Sequence, residues 1–590
     1  MASIPTTSLE TFRKHVYSPL AVINGLYGEH KSDKDEISGH DNEFGKAVKN
    51  HFKSVFSSPE ALERIPVFDR SGHSTRHKNG TLVRFRCMVQ DPSYGEELHL
   101  SVAHLVNSET GEVKQKFSQY TDADHVLDEG WEVDYSSSSN VFTEKEVAYC
   151  VSVPGQSEWA QLGTAVAPLE SAFESMSVSS EPKITDASVD ISAAIQAKYP
   201  LRSMKHSAAL VKFYSPNTAP KVLSVIDVVG IYELGYNPKE QNDDSSQGTW
   251  PCIHSIYHTS VSLDCLVPGL PKPAAADYTS RRSMCLAHLA SVLGGDELAA
   301  QYLLLHLLSK TVAVQDAKVG KFSLNLIGFP NSDKDQMHPA TFSLGNPSTQ
   351  WVASALSQLV PRSVEIPFDL KLLNNSSFAP NAELGDLQAG VLQLPFDTQL
   401  VCDETCLHEG TLDERGVRNL QALQTAILDQ TVTYTYPYQP IDMPSNLRVL
   451  ILSTGKSILQ NDCGLYLSSP AIQFLSTIKG NDTPELKPLD PMHTEQLRQY
   501  LEYVRHMEFN VPQDVSDAIS SEYAELRREA HKSGGKMMTQ AELALTVTVA
   551  RLLSISKGES ELSLDSWKEA CSLERSRAER NDKNKATNKK

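Results

Sequence analysis

Near residue 281 the hydrophobic rhythm of this chain changes, so two kinds of architecture must share one polypeptide. Before that point the apolar text has period two. Thr81 to Asp91 alternates apolar and polar side chains, Leu98 to Val106 repeats the pattern, and Glu146 to Val153 closes a strand ahead of Pro154-Gly155, the pattern of half-buried β-strands. A second β-rich stretch follows at Ala208 to Tyr214 and Lys221 to Leu234. Short strands of this kind fit small barrels of the oligonucleotide/oligosaccharide-binding (OB) type. From Arg281 the period becomes helical. Met284, Leu286, Leu289, Val292 and Leu293 share a face, Gly294-Gly295 breaks it, and Asp296 is placed to cap a helix carrying Leu298, Tyr302, Leu305, His306 and Leu308. Strands and helices then alternate: Phe322–Phe329, 349–359 (helix), Gln399–Cys402, 416–429 (helix) and Leu447–Ser453. That alternation predicts a largely parallel sheet covered by helices, and everything beyond Glu495 reads as helix.

Composition excludes several classes. With 40% apolar and 22% charged residues the 590-residue chain is neither fibrous nor wholly disordered, and its length predicts several domains. A net charge of −19 repels polyphosphate, so nucleic acid is a poor first partner unless a local basic patch exists. The nine cysteines are scattered and odd in number, which points to free thiols in a reducing compartment. The N-terminal residues lack the apolar core of a secretory leader, and Ala299 to Leu308 is too short to span a bilayer, so a soluble intracellular protein is expected. Polar runs at 29–43, 171–190 and 242–248 read as loops or linker.

An α/β unit invites a nucleotide-hydrolysis reading, which its parts do not support. A phosphate loop needs G-x-x-x-x-G-K-[ST] between strand and helix. After the strand at Phe322 the text is Gly328-Phe329-Pro330-Asn331-Ser332-Asp333-Lys334, with one glycine and no Gly-Lys-Ser/Thr. Thr454-Gly455-Lys456-Ser457 is a decoy, because Leu450 stands where the leading glycine belongs. Leu400-Val401-Cys402-Asp403-Glu404 has the text of a Walker B strand, whose Asp would serve Mg²⁺ and whose Glu would position water. Without the loop lysine, Asp403 and Glu404 are expected to be inactive. No catalytic or cofactor-binding residue is expected, and no cofactor. Two loose groups, Cys402, Cys406 and His408, and Cys252, His254, His258 and Cys265, lack the paired spacing of structural zinc, so no metal site is expected. The basic run from Arg575 suits either an import or nucleic-acid-contacting end or a solvated helix terminus.

Several longer words carry a family resemblance. Phe85-Arg86-Cys87-Met88-Val89-Gln90-Asp91, Tyr149-Cys150-Val151 leading to Val153-Pro154-Gly155, Ala299-Ala300-Gln301-Tyr302-Leu303-Leu304-Leu305-His306-Leu307, Asp403-Glu404-Thr405, Gly416-Val417-Arg418-Asn419 and Ala550-Arg551-Leu552-Leu553-Ser554 keep their order along nearly the whole chain. The chain thereby resembles the mini-chromosome maintenance (MCM) complex-binding protein family. The resemblance implies a nuclear, non-enzymatic partner of MCM helicase subunits. It would be tied to helicase assembly and release from chromatin in S phase and to sister-chromatid cohesion, with indirect chromatin association and no membrane. It also implies an α/β plus β-rich fold: a degenerate AAA+-like α/β domain over 281–490 and a helical lid over 491–574. These would follow an N-terminal segment (1–60), an OB-like domain (61–170), a linker (171–195) and a second OB-like region (196–270), and precede a basic tail (575–590). The alternatives are a divergent AAA+-type ATPase and an OB-fold single-strand nucleic-acid binder.

Overall fold

The computed structural model describes residues 6–32, 42–68, 77–122, 130–162, 198–201, 206–214, 220–236, 249–261, 277–314, 317–331, 345–383, 387–478, 490–534 and 537–587. The linker read at 171–190 and the loop at 242–248 lie outside these residues, as does most of the 29–43 run. The chain forms two compact units, one holding Met1–Pro154, Gln161–Ser262 and Leu387–Ala389, the other the remainder.

The first unit opens with helices α1 (Thr6–Tyr17), α2 (Pro19–Ser32), α3 (Asn42–Val55) and α4 (Pro59–Glu63). Eight strands come next: β1 (Thr81–Asp91), β2 (Glu96–Asn107), β3 (Val113–Phe117), β4 (Trp131–Val133), β5 (Val141–Ser152), β6 (Ala208–Phe213), β7 (Val225–Tyr236) and β8 (Thr249–Ser260). Seven follow the order β1-β7-β8-β6-β5-β2-β3 and β4 pairs β2 beside them; β1 also pairs β5, so the circuit β1-β7-β8-β6-β5 closes on itself. All pairings are antiparallel except β6 with β8. The two β-rich stretches that the sequence presents as separate regions therefore complete one barrel. Strand periodicity is a local signal, whereas the partner of β1 lies far along the chain: Phe85 faces Val228 and Cys87 faces Ile226. Val83, Phe85, Val211, Phe213 and Val228 fill the interior. The opposite face of β1 and β7, with Leu82, Val229 and Ile231, is covered by Val16, Ile23, Phe44, Val48 and Phe52 of the N-terminal helices.

The second unit contains helices α5 (Asp277–Val292) and α6 (Glu297–Leu308), strands β9 (Val312–Val314), β10 (Ala317–Val319) and β11 (Leu324–Ile327), helix α7 (Pro347–Leu359), β12 (Ser363–Pro367), α8 (Leu370–Asn375), β13 (Gln399–Asp403), α9 (Glu414–Leu428), β14 (Thr431–Thr435), β15 (Pro440–Pro444), β16 (Arg448–Ser453) and β17 (Cys463–Tyr466). Helices α10 (Ser469–Thr477), α11 (Pro491–Arg505), α12 (Gln513–Ser533), α13 (Gln540–Ser556) and α14 (Leu564–Thr587) complete it. Its main sheet is parallel throughout, in the order β12-β13-β16-β11-β17. The strand–helix alternation predicts this, and the fully buried run of β16 is what a strand covered on both faces requires. Asp296 caps α6 by accepting from the Ala299 N–H at 3.0 Å. The apolar stripe of α5 runs through Cys285, His288, Leu289 and Val292, while Met284 and Leu286 lie at its margin. Helix α6 buries nine of its twelve residues, so it is enclosed on all sides and not amphipathic.

The basic run at the C-terminus is not a free tail through its first turns. It continues α14, where Arg577 pairs Glu574 at 2.6 Å and donates to the Gly464 carbonyl, and Asn581 bridges Gly464 and Tyr466 of β17. Arg580 meets both carboxylate oxygens of the buried Asp296 at 2.8 Å. Removing one partner of such a pair leaves an uncompensated charge. Arg580→Met should lower the stability of this unit by roughly 2–3 kcal/mol, below the full cost of a wholly buried pair because Arg580 keeps some solvent contact. Urea unfolding checks it; an unchanged midpoint would mean that Arg580 holds nothing in place.

Candidate functional site

Every strand of a parallel sheet ends on the same edge, and in open α/β sheets ligands gather outside those carboxyl ends. Here that edge brings together the end of β11 at Ile327-Gly328, Asp403 at the end of β13 with Glu404 after it, the turn from Thr454 to Ser457 after β16, and Glu365 of β12. Gly328 takes φ +113° with Ile472 2.9 Å from where a Cβ would stand, so only glycine turns the chain there. Helix α7 begins on the same edge with Asn346 as its cap. A Cβ on Gly345 would lie 2.7 Å from Glu365 Oε1 and 3.0 Å from Asp403 Oδ2, so the missing side chain lets backbone close onto two carboxylates.

Asp403 is fully buried, and its two oxygens accept five hydrogen bonds. Oδ2 receives the Asn346 N–H at 3.0 Å, the Thr349 hydroxyl at 2.7 Å and the Cys406 thiol at 3.2 Å. Oδ1 receives the Thr405 N–H at 2.9 Å and its hydroxyl at 2.6 Å. A carboxylate offers about four lone-pair directions, so this one has no acceptor capacity left for a cation. The first turn of α7, whose exposed N–H groups and dipole draw anions, is thus already occupied by the chain's own carboxylate. Asn346 adds a brace by donating its amide to the Pro330 carbonyl at 2.6 Å and to Thr405 Oγ1 at 3.1 Å.

Glu404 turns away from this cluster. Its Oε1 accepts from the Ser457 hydroxyl at 2.7 Å; burial pushes its carboxyl up, and the Ser457 bond offsets part of that. Ser457 is the serine of the Gly-Lys-Ser decoy. That segment is a turn between β16 and β17 with Lys456 exposed and no helix directly after it, so it lacks the helix N-terminus a phosphate loop needs. The strand-to-helix position is instead held by Gly328-Phe329-Pro330-Asn331 and, at the helix, Gly345-Asn346-Pro347-Ser348-Thr349. Those described residues include no lysine, and Pro347 removes one of the N–H groups that would face phosphate.

Two members of the cluster carry no motif signal. Thr349 joins Asp403 across 54 residues. Glu365 stands 3.4 Å from the Thr349 hydroxyl, and burial together with the charge of Asp403 pushes its carboxyl up to about 8. The sequence offers no cue to Glu365, whose strand alternates buried Val364 and Ile366 with half-buried Ser363, Glu365 and Pro367. Of the cysteine and histidine groups, Cys402 lies buried in β13 and Cys406 donates to Asp403. In the barrel, His254 Nε2 lies 3.1 Å from Glu233 and its other ring nitrogen 2.5 Å from the Tyr214 hydroxyl, while the His258 ring packs on Phe213. Cys265 lies outside the described residues. Among the described residues no group of three or more His, Cys, Asp or Glu is placed to hold a metal ion.

This geometry generates two expected outcomes. Titration calorimetry of the full chain with Mg-ATP should give no saturable heat; a one-to-one isotherm lost in Asp403→Ala would overturn the closed site. Glu365→Gln should stabilise the protein by an amount that depends on pH. The folded-state carboxyl sits near 8 against an ordinary 4.5, so wild-type stability is complete below about 4.5 and falls as pH rises toward 8. The variant's advantage should therefore grow across that window to roughly 1–3 kcal/mol and level off above it, as thermal melts at pH 5, 7 and 9 would read.

The sequence profile described as "Mini-chromosome maintenance replisome factor" matches residues 52–185 and 170–581. The chain is 28% identical over 656 residues to the mini-chromosome maintenance complex-binding protein of Gallus gallus, covering 97% of this chain and 98% of the relative. It is 28% identical over 669 residues to the protein of that name from Danio rerio, with coverage of 98% and 99%. The Arabidopsis thaliana protein of the same name is 29% identical over 594 residues, covering 90% of this chain and 93% of its own length. A match this extended, running through both compact units, means that the chain belongs to the mini-chromosome maintenance replisome factor family.

Proposed function

We propose that this chain is a non-enzymatic docking partner of MCM helicase subunits, one that keeps the outline of an AAA+-type ATPase without its chemistry. The observation that carries this reading is Asp403. Phosphoryl transfer rests on positioning a triphosphate and its Mg²⁺, and here both Asp403 oxygens are engaged by Asn346, Thr349, Thr405 and Cys406. The names of the full-length relatives support the partner: each is called an MCM complex-binding protein.

The strand order supports an AAA+-like reading of 281–490, because β16 separates the Asp-Glu strand β13 from β11, the strand that would precede a phosphate loop. The helices beyond Pro491 serve as its lid. The closed five-strand circuit of β1, β5, β6, β7 and β8 supports an OB-like reading of the barrel, drawn from both β-rich stretches. In this reading the protein works in the nucleus. It regulates assembly of the helicase and its release from chromatin during S phase, contributes to sister-chromatid cohesion, and meets chromatin through its MCM partner. No helix among the described residues is long and apolar enough to cross a membrane. A single-strand binder that uses the basic C-terminus finds less support, because Arg577 and Arg580 are engaged by Glu574 and Asp296.

Pull-down of the full chain against separately purified MCM subunits at moderate salt should recover at least one of them, with or without nucleotide. Recovery of none, or capture that requires ATP, would overturn the proposal.

A further inference from the structure

Within the barrel unit, the rings of Tyr149 and Trp250 and the hydroxyl end of Tyr94, from three separate elements, converge on one ammonium group. Tyr94 comes from the connection between β1 and β2, Tyr149 from β5 and Trp250 from β8. The Nζ of Lys198 lies 5.3 Å from the Tyr149 ring centroid, 5.6 Å from that of Tyr94 and 5.9 Å from that of Trp250, and 3.1 Å from the Tyr94 hydroxyl oxygen. The walls support one another, with Tyr94 stacked on Tyr149 at 6.1 Å and Tyr149 edge-on to Trp250 at 6.0 Å. Tyr149 and Trp250 are 1% exposed and Tyr94 and Lys198 8%, so all four are buried and the little solvent contact the cluster has falls on Tyr94 and Lys198. Lys198 is held from behind, where Gln90 Nε2 donates to its carbonyl at 2.6 Å and the next residue, Tyr199, stacks on His206 with centroids 3.9 Å apart.

Anchoring a strand-to-strand connection does not require this arrangement. A leucine or methionine would fill the same space without the cost of taking an ammonium out of water. Several π faces around one cation are how proteins hold methylated ammonium groups, because the ring quadrupoles attract the charge while the walls cover its apolar surface. Methylation keeps the charge, weakens hydration and enlarges the apolar surface, so a methylated lysine fits such walls better than a free one.

We propose that Tyr94, Tyr149 and Trp250 form a binding site for a methylated lysine side chain, and that Lys198 is its built-in occupant, holding the site shut until a competitor displaces it. A ligand for a site that is open only part of the time binds with an apparent affinity reduced by the open fraction. Removal of Lys198 should therefore unmask the cage. The test uses the full chain labelled with 5-fluorotryptophan, with the Trp250 resonance assigned from Trp250→Phe. The probes are the capped amino acid Nα-acetyl-trimethyllysine methylamide, its unmethylated counterpart, and phosphocholine. In Lys198→Ala the trimethyllysine probe should shift the Trp250 signal saturably, at least tenfold more tightly than in wild type. The unmethylated probe and phosphocholine should be weaker, and adding Tyr94→Ala should weaken the response about tenfold again. If Lys198→Ala lowers the melting temperature, Lys198→Met, which keeps the buried stem and loses the charge, is read in the same way. A folded Lys198 variant whose Trp250 signal does not move, or moves no more readily than in wild type, would overturn the proposal. Tighter binding of phosphocholine than of trimethyllysine would overturn the choice of a side-chain ligand.

Discussion

The C-terminal unit depends on one buried carboxylate. Asp403 ties the end of β13 to the start of α7 through Asn346 and Thr349, and to the turn beyond it through Thr405 and Cys406. An ionised carboxylate is costly to bury unless donors replace its water, and the first turn of a helix supplies donors and a favourable dipole together. Two further features depend on it. A side chain at residue 345 would press on Glu365 Oε1 and crowd Asp403 Oδ2, so glycine suits that position. Glu365, next to a charge that is already fixed, holds its proton to about pH 8. The donors around α7 are already engaged by Asp403, so an ionised Glu365 would find none in reserve.

The parts of this unit that are legible in the sequence are those with local cause. Apolar runs mark β13 and β16, because a strand buried on both faces needs no alternation, and Asp296 announces the start of α6 as a side-chain cap. Strand β12 escapes a sequence reading because Ser363–Pro367 is short, begins polar and carries a glutamate, although its pairing with β13 is regular from Ser363 to Pro367. Strand β17 is shorter still, four residues opening on a cysteine and a glycine. The barrel is half legible. Most of its longer strands announce their period, but nothing local says that β1 closes against both β5 and β7. Closure is decided by long-range register, which a one-dimensional pattern does not contain.

The candidate site divides along the same line. Asp403 and Glu404 stand out by their place after an apolar strand, and the structure puts both at the carboxyl edge of the sheet, yet facing different partners. A phosphate loop would be expected directly after β11, and the next helix among the described residues begins at Pro347. The Gly-Lys-Ser decoy depends on context in the same way. Those three residues have meaning for phosphate only where a helix begins, and here the serine fastens Glu404 to a turn. Identical residue types serve opposite ends, according to whether a helix or a turn comes next.

Both units settle an electrostatic demand with a residue of their own: Asp403 at the first turn of α7 and Lys198 inside its aromatic walls. A tethered group competes at an effective concentration in the millimolar range or above, so a free ligand must bind intrinsically better to displace it. The two occupants differ in how readily they can be displaced. Asp403 is held by five hydrogen bonds within a buried cluster, and moving it would strip donors from a helix start. Lys198 lies buried beside the Tyr149 and Trp250 rings and donates to the Tyr94 hydroxyl, and a cation that suits the same groups better can compete for its place. Intramolecular occupancy therefore has two consequences in one chain. In the α/β unit it closes a site, and in the barrel it sets a threshold that a suitable ligand can cross.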